Sequence, residues 1–278
     1  MTTDLAARAT TLLELHRPGR PLVLVNAWDA GSARVVAAAG APAIATGSAG
    51  VAAFLGRPDG QRLSRDEMLA AVRSVASAVP LPVTADMEAG YGATPADVAE
   101  TAGRVLAAGA VGINLEDVDP AGAPDTLVDL DDQLARIRAV RERADHEGVH
   151  LVLNARCDVY LARVGDAGAR LGTAVERANA YLGAGADCAF IPGVTEAQTI
   201  AALVAGIHGP VNVLAAPGSP PVAELAALGV ARVSVGSWPA RAAITLLSRI
   251  AHEVLDNGTY DALGGALSYA EVQRLFAT

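Results

Sequence analysis

The chain has 278 residues, 52% of them hydrophobic, and a net charge of −9 set against 21 basic residues that are all arginine. That size and apolar fraction suffice for one large core. The acidic balance, with no basic stripe, argues against a nucleic-acid binder, and without lysine there is no Schiff-base chemistry with pyridoxal phosphate or a carbonyl substrate.

The first twenty residues lack a signal peptide's charged start, apolar centre and cleavage site. No apolar run is long enough to span a bilayer. The two cysteines, Cys157 and Cys188, lie in apolar strand-like runs and read as small core residues. The expectation is a cytoplasmic protein. A helix is expected over about 3–16. Eight short apolar, β-branched runs follow: 21–26, 43–47, 81–88, 112–117, 151–157, 188–193, 211–216 and 232–236. Ala-rich helical stretches separate them. Ser64-x-x-Glu67 and Thr195-x-x-Gln198 read as capping boxes, and Thr94-Pro95 as N-cap then first helical residue. Continuous apolar strands alternating with helices imply a parallel sheet covered on both faces. Eight such units predict an α/β fold, a (β/α)₈ TIM-type barrel, as one domain over 1–278. No G-x-G-x-x-G follows the first strand, which argues against the doubly wound alternative. The barrel strands run to about 236, and extra helices fill 238–278, one over 238–255 and another capped by Ser268-x-x-Glu271. Spare terminal helices pack on the barrel or on a neighbouring subunit.

Working residues of this fold lie at the C-terminal strand ends. Those ends offer Asn26, Trp28 and Asp29; Thr46, Gly47, Ser48, Ala49 and Gly50, with Asp59 in the longer loop that follows; Asp86 and Glu88; Asn114, Glu116 and Asp117; Asn154, Arg156 and Asp158; then Pro192, Asn212, Ser219 and Ser237. The five histidines (His16, His146, His150, His208 and His252) fall in helices or before strands, at the wrong end for a triad or a zinc site. Carboxylates remain. Strand alternation puts Asp86 and Glu88 on one face, and Asn114 and Glu116 on one face, with Asp117 pointing elsewhere. Three converging acids are unfavourable unless one takes a proton or a cation joins them. Hard oxygen ligands suit Mg²⁺, with Mn²⁺ as a substitute. Arg156 could pair with an acid or grip an anionic substrate bidentately. Two alternatives stand open here: a metal site, or a buried acid–arginine network closing the barrel mouth.

The stretches NAWDAGSARVVAAAG, ATGSAGVAAFLGRPDG, TADMEAGYG, VGINLED and NARCDVYL, in that order over roughly 20–240, resemble the isocitrate lyase/phosphoenolpyruvate mutase superfamily. The resemblance implies a barrel whose terminal helix swaps between subunits, giving homo-oligomers (dimers or tetramers). It implies Mg²⁺ and an enolpyruvate-like intermediate, with a C–C or P–C bond made or broken beside a 2-oxo acid. Asp86 and Glu88 match the family's metal-site acids, although the second is usually Asp; Glu116 matches the strand-4 acid. Arg156 matches the substrate-holding arginine, Thr46–Val51 the carboxylate loop, and Asp59 the acid of an L-G-x-x-D segment. Trp28 and Asn212 complete the candidate substrate contacts. Isocitrate and methylisocitrate lyases carry a Lys-Lys/Arg-Cys-Gly-His loop after strand 4, and phosphoenolpyruvate mutases a lysine and an Asn-Ser or similar pair. Here residues 118–133 read VDPAGAPDTLVDLDDQ, with no Cys, His or Lys. The expected function is a Mg²⁺-dependent lyase cleaving a C–C bond of a small 2-oxo or 2-hydroxy acid. An oxaloacetate-decarboxylase-like enzyme, a phosphonopyruvate-type enzyme and a non-catalytic acid-binding barrel are the alternatives.

Overall fold

A computed structural model describes residues 2–123 and 126–277. Nine parallel strands form one sheet: β1 (Leu22–Leu24), β2 (Asn26–Ala27), β3 (Ile44–Thr46), β4 (Val83–Asp86), β5 (Gly112–Glu116), β6 (Val152–Arg156), β7 (Cys188–Ile191), β8 (Val211–Leu214) and β9 (Arg232–Ser234). Their order is β1-β9-β8-β7-β6-β5-β4-β3-β2. The single run expected over 21–26 is thus two pieces, parted at Val25. Leu22–Leu24 pair with β9 and Asn26–Ala27 with β3, so the first strand joins the last to the second and brings the barrel round nearly to closure. The eight-unit TIM-type architecture read from the sequence is the observed one.

The helices are α1 (Thr2–Glu14), α2 (Ala30–Ala38), α3 (Ser48–Phe54), α4 (Arg65–Ala78), α5 (Pro95–Ala107), α6 (Leu130–Glu147), α7 (Arg170–Gly183), α8 (Ala197–Gly206), α9 (Val222–Ala227), α10 (Trp238–His252) and α11 (Tyr269–Phe276). The caps at Ser64, Thr94 and Ser268 form as their spacing predicts, each side chain accepting from the backbone three residues on. The box expected at Thr195 does not form: α8 starts at Ala197 with Glu196 as its uncapped N-cap. The helix expected over 238–255 keeps α-geometry only to His252 and then loosens into a π-turn, Glu253–Asn257. No helix among the described residues is long and apolar enough to cross a membrane.

Core packing places the site at one end of the barrel. In α1 the apolar residues Leu5, Ala9 and Leu12 fall on one face, and Ala9 and Leu12 are wholly buried. Leu12 reaches the barrel wall: a Cβ added to Gly112 would lie 2.7 Å from its Cδ2. The N-terminal end of the barrel is therefore plugged, and access is left to the C-terminal end. Cys157 and Cys188 are fully buried, as expected. Between plug and mouth the barrel holds a polar layer instead of a purely aliphatic one: Asn114, Asn154, Asn212 and Arg232 are all buried.

Candidate active site

The C-terminal mouth opens on a cavity of about 400 Å³ lined by, among others, Asn26, Ser48, Ala49, Asp59, Asp86, Asn114 and Arg156. Asp86 ends β4. Its amide donates to Thr46 Oγ1 at 2.9 Å, and its Oδ2 accepts the Ser48 amide at 2.9 Å. Oδ1 is buried and has no hydrogen-bond partner. Thr46 therefore positions Asp86 and does not line the cavity. The Ser48 amide, expected to serve a substrate carboxylate, is already committed. Ala49 and Gly50, in the first turn of α3, keep amides without intrahelical acceptors.

Glu88 departs from the alternation argument. β4 stops at Asp86, and Glu88 adopts a left-handed backbone with φ 50°. Its carboxylate turns to the loop after β3, accepting the Gln61 amide at 2.5 Å and the Tyr91 hydroxyl. Tyr91 in turn donates its amide to Gln61 Oε1. Gln61 and Tyr91 share the positive φ, so the segment carrying Asp59 is tied down by three strained residues. Gly90, φ 94°, completes the turn; a Cβ there would meet the Val98 methyls at 2.9 Å.

Glu116 ends β5 directly beside Arg156, the end of β6, and the two are ion-paired. The same guanidinium meets Asp158 through Nε at 2.8 Å and Nη2 at 2.7 Å. The fork expected for a substrate is thus spent on Glu116 and Asp158, leaving one N–H on each terminal nitrogen. Asp117 points away, as expected, into a buried network with Arg177, Tyr181 and the Asp158 amide. Asn114 accepts from Asn154 Nδ2 at 2.8 Å and Arg232 Nη2 at 3.3 Å through its Oδ1, which turns its amide donor toward the cavity.

Electrostatics follow from this crowding. Burial raises the pKa of Asp59, with Asp86 adding to the effect. Burial likewise raises Glu88 against the bonds from Tyr91 and Gln61, and raises Glu116 well above the ordinary range despite Arg156. Asp158 is also raised by burial. Burial opposes the charge on Arg156, but Glu116 and Asp158 outweigh it and keep the guanidinium protonated. Asp59, Asp86, Glu116 and Asp158 thus act on one guanidinium, while Glu88 acts on Asp86 and Asp59. No three His, Cys, Asp or Glu side chains among the described residues converge closely enough to enclose a metal by themselves. The residues nevertheless fit Mg²⁺, which is held by one or two carboxylates and otherwise by water. Asp86 offers an open, buried oxygen, and Asp59, Glu88 and Glu116 are near enough to interact with one another or with Asp86 electrostatically and would lose protons to a cation bound there.

Of the other expected contacts, Asn212 is buried in the barrel interior, and Trp28 stacks on Phe54 at 4.6 Å outside the cavity. Gly50 packs against Trp28 and Ala240. No described residue of 118–133 lines the cavity, and none of its lining residues is His, Cys or Tyr. Trp238 and Arg241, at the start of α10, do line it and were not expected. The available signal was their place just after the end of the last strand.

Comparison with known proteins agrees with this geometry. The family profile described as phosphoenolpyruvate phosphomutase matches residues 12–255. A protein of Burkholderia cenocepacia J2315, provisionally assigned as a lyase/mutase, superposes with a TM-score of 0.91 at 40% identity, covering 99% of this chain and 98% of that one. An uncharacterized protein of Mycobacterium tuberculosis is 36% identical over 94% of this chain and 93% of its own length. An oxaloacetate decarboxylase of Rhodopseudomonas palustris is 31% identical over 90% of this chain and 86% of its own. Phosphonopyruvate hydrolase, solved with oxalate and Mg²⁺, superposes with a TM-score of 0.81 at 28% identity, covering 99% of this chain and 95% of that one. With the barrel, the acid-lined mouth and matches over nearly the whole length, the chain belongs to the phosphoenolpyruvate phosphomutase family, within the isocitrate lyase/phosphoenolpyruvate mutase superfamily.

Proposed function

We propose that the protein is a divalent-metal-dependent carbon–carbon lyase of a small 2-oxo acid, working through an enolpyruvate-like intermediate. The observation that carries this reading is the partnerless, buried Oδ1 of Asp86 at the floor of a cavity that Arg156 also lines. Mg²⁺, or Mn²⁺ in its place, supplies positive charge that favours enolate formation. The chain's own residues do the rest. The Ala49 amide and the Asn114 amide donor, both on the cavity wall, orient the acid. Leu161, Phe190 and Pro192 form an apolar wall that keeps water out. Arg156 faces the developing negative charge with its remaining N–H groups. Asp59, whose proton affinity burial raises, can hold a proton inside the cavity and deliver it to carbon.

The lining favours one reaction within that class. Cleaving a 2-hydroxy acid requires a base to take the hydroxyl proton as the C–C bond breaks. Loss of CO₂ from a 2-oxo diacid does not: the C–C bond breaks, its electron pair becomes the enolate, and the enolate carbon then takes a proton. Among the described residues the lining holds no imidazole, thiol or phenol, and Asp59 serves in this reading as the acid that protonates carbon, which supports decarboxylation; similarity to oxaloacetate decarboxylase supports it further. The chain is further proposed to work in the cytoplasm, and to do so as a homo-oligomer because Leu247 and Leu255, in the C-terminal helical segment, are 66% and 83% exposed.

A panel of acids with and without Mg²⁺ tests this. Oxaloacetate should release pyruvate in a Mg²⁺-dependent manner above the rate with metal alone. Isocitrate and methylisocitrate should release no glyoxylate or pyruvate. Phosphate release from phosphonopyruvate would move the reading to P–C chemistry. No turnover of any acid by protein that still binds oxalate would leave an acid-binding barrel.

A further inference from the structure

The cavity wall carries a cation that this chemistry does not use. Arg241 sits at the end of the first turn of α10, its guanidinium carbon 4.0 Å from the centre of the Trp238 ring. Both residues line the cavity. Among the described residues Arg241 makes no salt bridge. Arg156 is the only other cation in the lining, and it is shared between Glu116 and Asp158. A guanidinium stacked on an indole is held in orientation while the N–H groups at its edge stay free to donate.

The surrounding charge decides what Arg241 can accept. The cavity floor is acidic, at Asp59 and Asp86, and repels any anionic group not held by a cation or amide there. Leu161, Phe190, Pro192 and Leu214 make the wall apolar, where an unpaired carboxylate would be strongly disfavoured. A second negative group on a substrate therefore has one cation free to meet it among the described lining residues, Arg241. We propose that Arg241, held on Trp238, is the residue that recognises the distal anionic group of the substrate, so that the cavity selects 2-oxo or 2-hydroxy acids with a second negative end over mono-acids of equal length. This rests on the acid-binding reading of the floor given above.

Calorimetry on Mg²⁺-loaded protein tests it with four probes. Malate and 2-hydroxybutyrate share a four-carbon chain and differ in the distal carboxylate. 3-Phosphonolactate carries a distal phosphonate, and oxalate has no distal group. Wild type should prefer malate to 2-hydroxybutyrate by at least about tenfold, and Arg241→Gln should reduce that to within about twofold. Arg241→Lys should retain part of the preference. Oxalate affinity and melting temperature should be the same in all three proteins. A phosphonolactate preference that exceeds malate's and vanishes in Arg241→Gln supports the same role and assigns the distal group as phosphonate. A malate preference unchanged in Arg241→Gln, or absent in wild type, overturns the proposal. Failure of oxalate to bind wild type would instead count against the floor, and the malate to 2-hydroxybutyrate ratio still reads Arg241.

Discussion

Arg156→Met should destabilise the protein severely, and the loss should depend on pH. Methionine keeps an unbranched stem beside Phe190, whose ring centre lies 6.0 Å from the guanidinium carbon, so packing is largely preserved. The charge is not. The Glu116 and Asp158 side chains are 9% and 2% exposed, and Arg156 is their common partner. Breaking a buried pair by removing one member costs about 3–5 kcal/mol, because a charge is left uncompensated. In a chain of this size that corresponds to a fall in melting temperature of roughly 6–20 °C. The sign follows from linkage. Burial already raises the folded-state pKa of both acids, and removing Arg156 raises them further. The folded variant then binds more protons than the unfolded chain above the ordinary carboxylate range. Its deficit relative to wild type should be small at acidic pH and grow as pH rises through the raised values. Urea unfolding of both proteins at several pH values reads this directly. A loss below about 1 kcal/mol at neutral pH, or one that does not vary with pH, would refute the view of Arg156 as the counter-charge of the floor. Arg156→Lys should be intermediate, since an ammonium cannot serve both acids with the fork geometry.

Two further outcomes test the floor and the plug. Asp86→Asn, which keeps an oxygen for the Ser48 amide but removes the charge, should abolish Mg²⁺ and Mn²⁺ binding in a calorimetric titration. In wild type the metal should make oxalate, a planar dianion resembling the enolate, bind at least about tenfold tighter than pyruvate; equal affinities would count against an enolate-stabilising site. At the opposite end, burial, helped by Arg232, pushes the His16 pKa from 6.5 down to about 4. The unfolded chain then binds the extra proton between those values, so this contribution is complete above pH 6.5 and lost as pH falls to 4. It amounts to about 3 kcal/mol. His16→Gln should lack that part of the pH dependence in urea unfolding, and a variant whose profile parallels wild type would show that His16 does not titrate there.

The barrel was legible because its cause is local: eight apolar runs, each followed by a helical pattern, admit few other arrangements. Asp59, Ser48, Ala49, Asp86 and Arg156 were legible for the same reason, since the fold fixes which strand ends face the mouth. The alternation rule failed where the backbone stopped being a strand. Glu88 lies two residues past Asp86 in sequence, but its left-handed conformation sends its carboxylate to Gln61 and Tyr91. Thr195-x-x-Gln198 satisfied the capping spacing, yet Thr195 lines the cavity and α8 starts without a side-chain cap. Trp238 and Arg241 were hidden because their sequence reads as an ordinary helix start. What gives them a role is position against the cavity, which periodicity does not encode. The polar interior was equally hidden: Asn114, Asn154, Asn212 and Arg232 sit in four different short strands, each beside apolar residues, and only closure of the barrel brings them together.

That interior layer bears on how the mouth can hold so many acids. Arg232 is fully enclosed and donates to Asn114 and toward His16 Nε2 at 3.3 Å, with no carboxylate paired to it among the described residues. Burial pushes its pKa down only to about 10, so it remains a cation at neutral pH. A protonated His16 would face that cation directly, and the neutral imidazole is the form its burial enforces. The positive charge beneath the floor therefore acts upward, toward Asp86 and its neighbours. With Arg156 it offsets part of the charge of the five acids, not all of it. The remainder can be met by protons on Glu116 or Asp59, or by a divalent cation at Asp86. Those two solutions compete, so metal binding should expel protons and weaken as pH falls. On this account the polar interior is part of the site: it lowers the cost of holding the acids together while leaving them short of one cation.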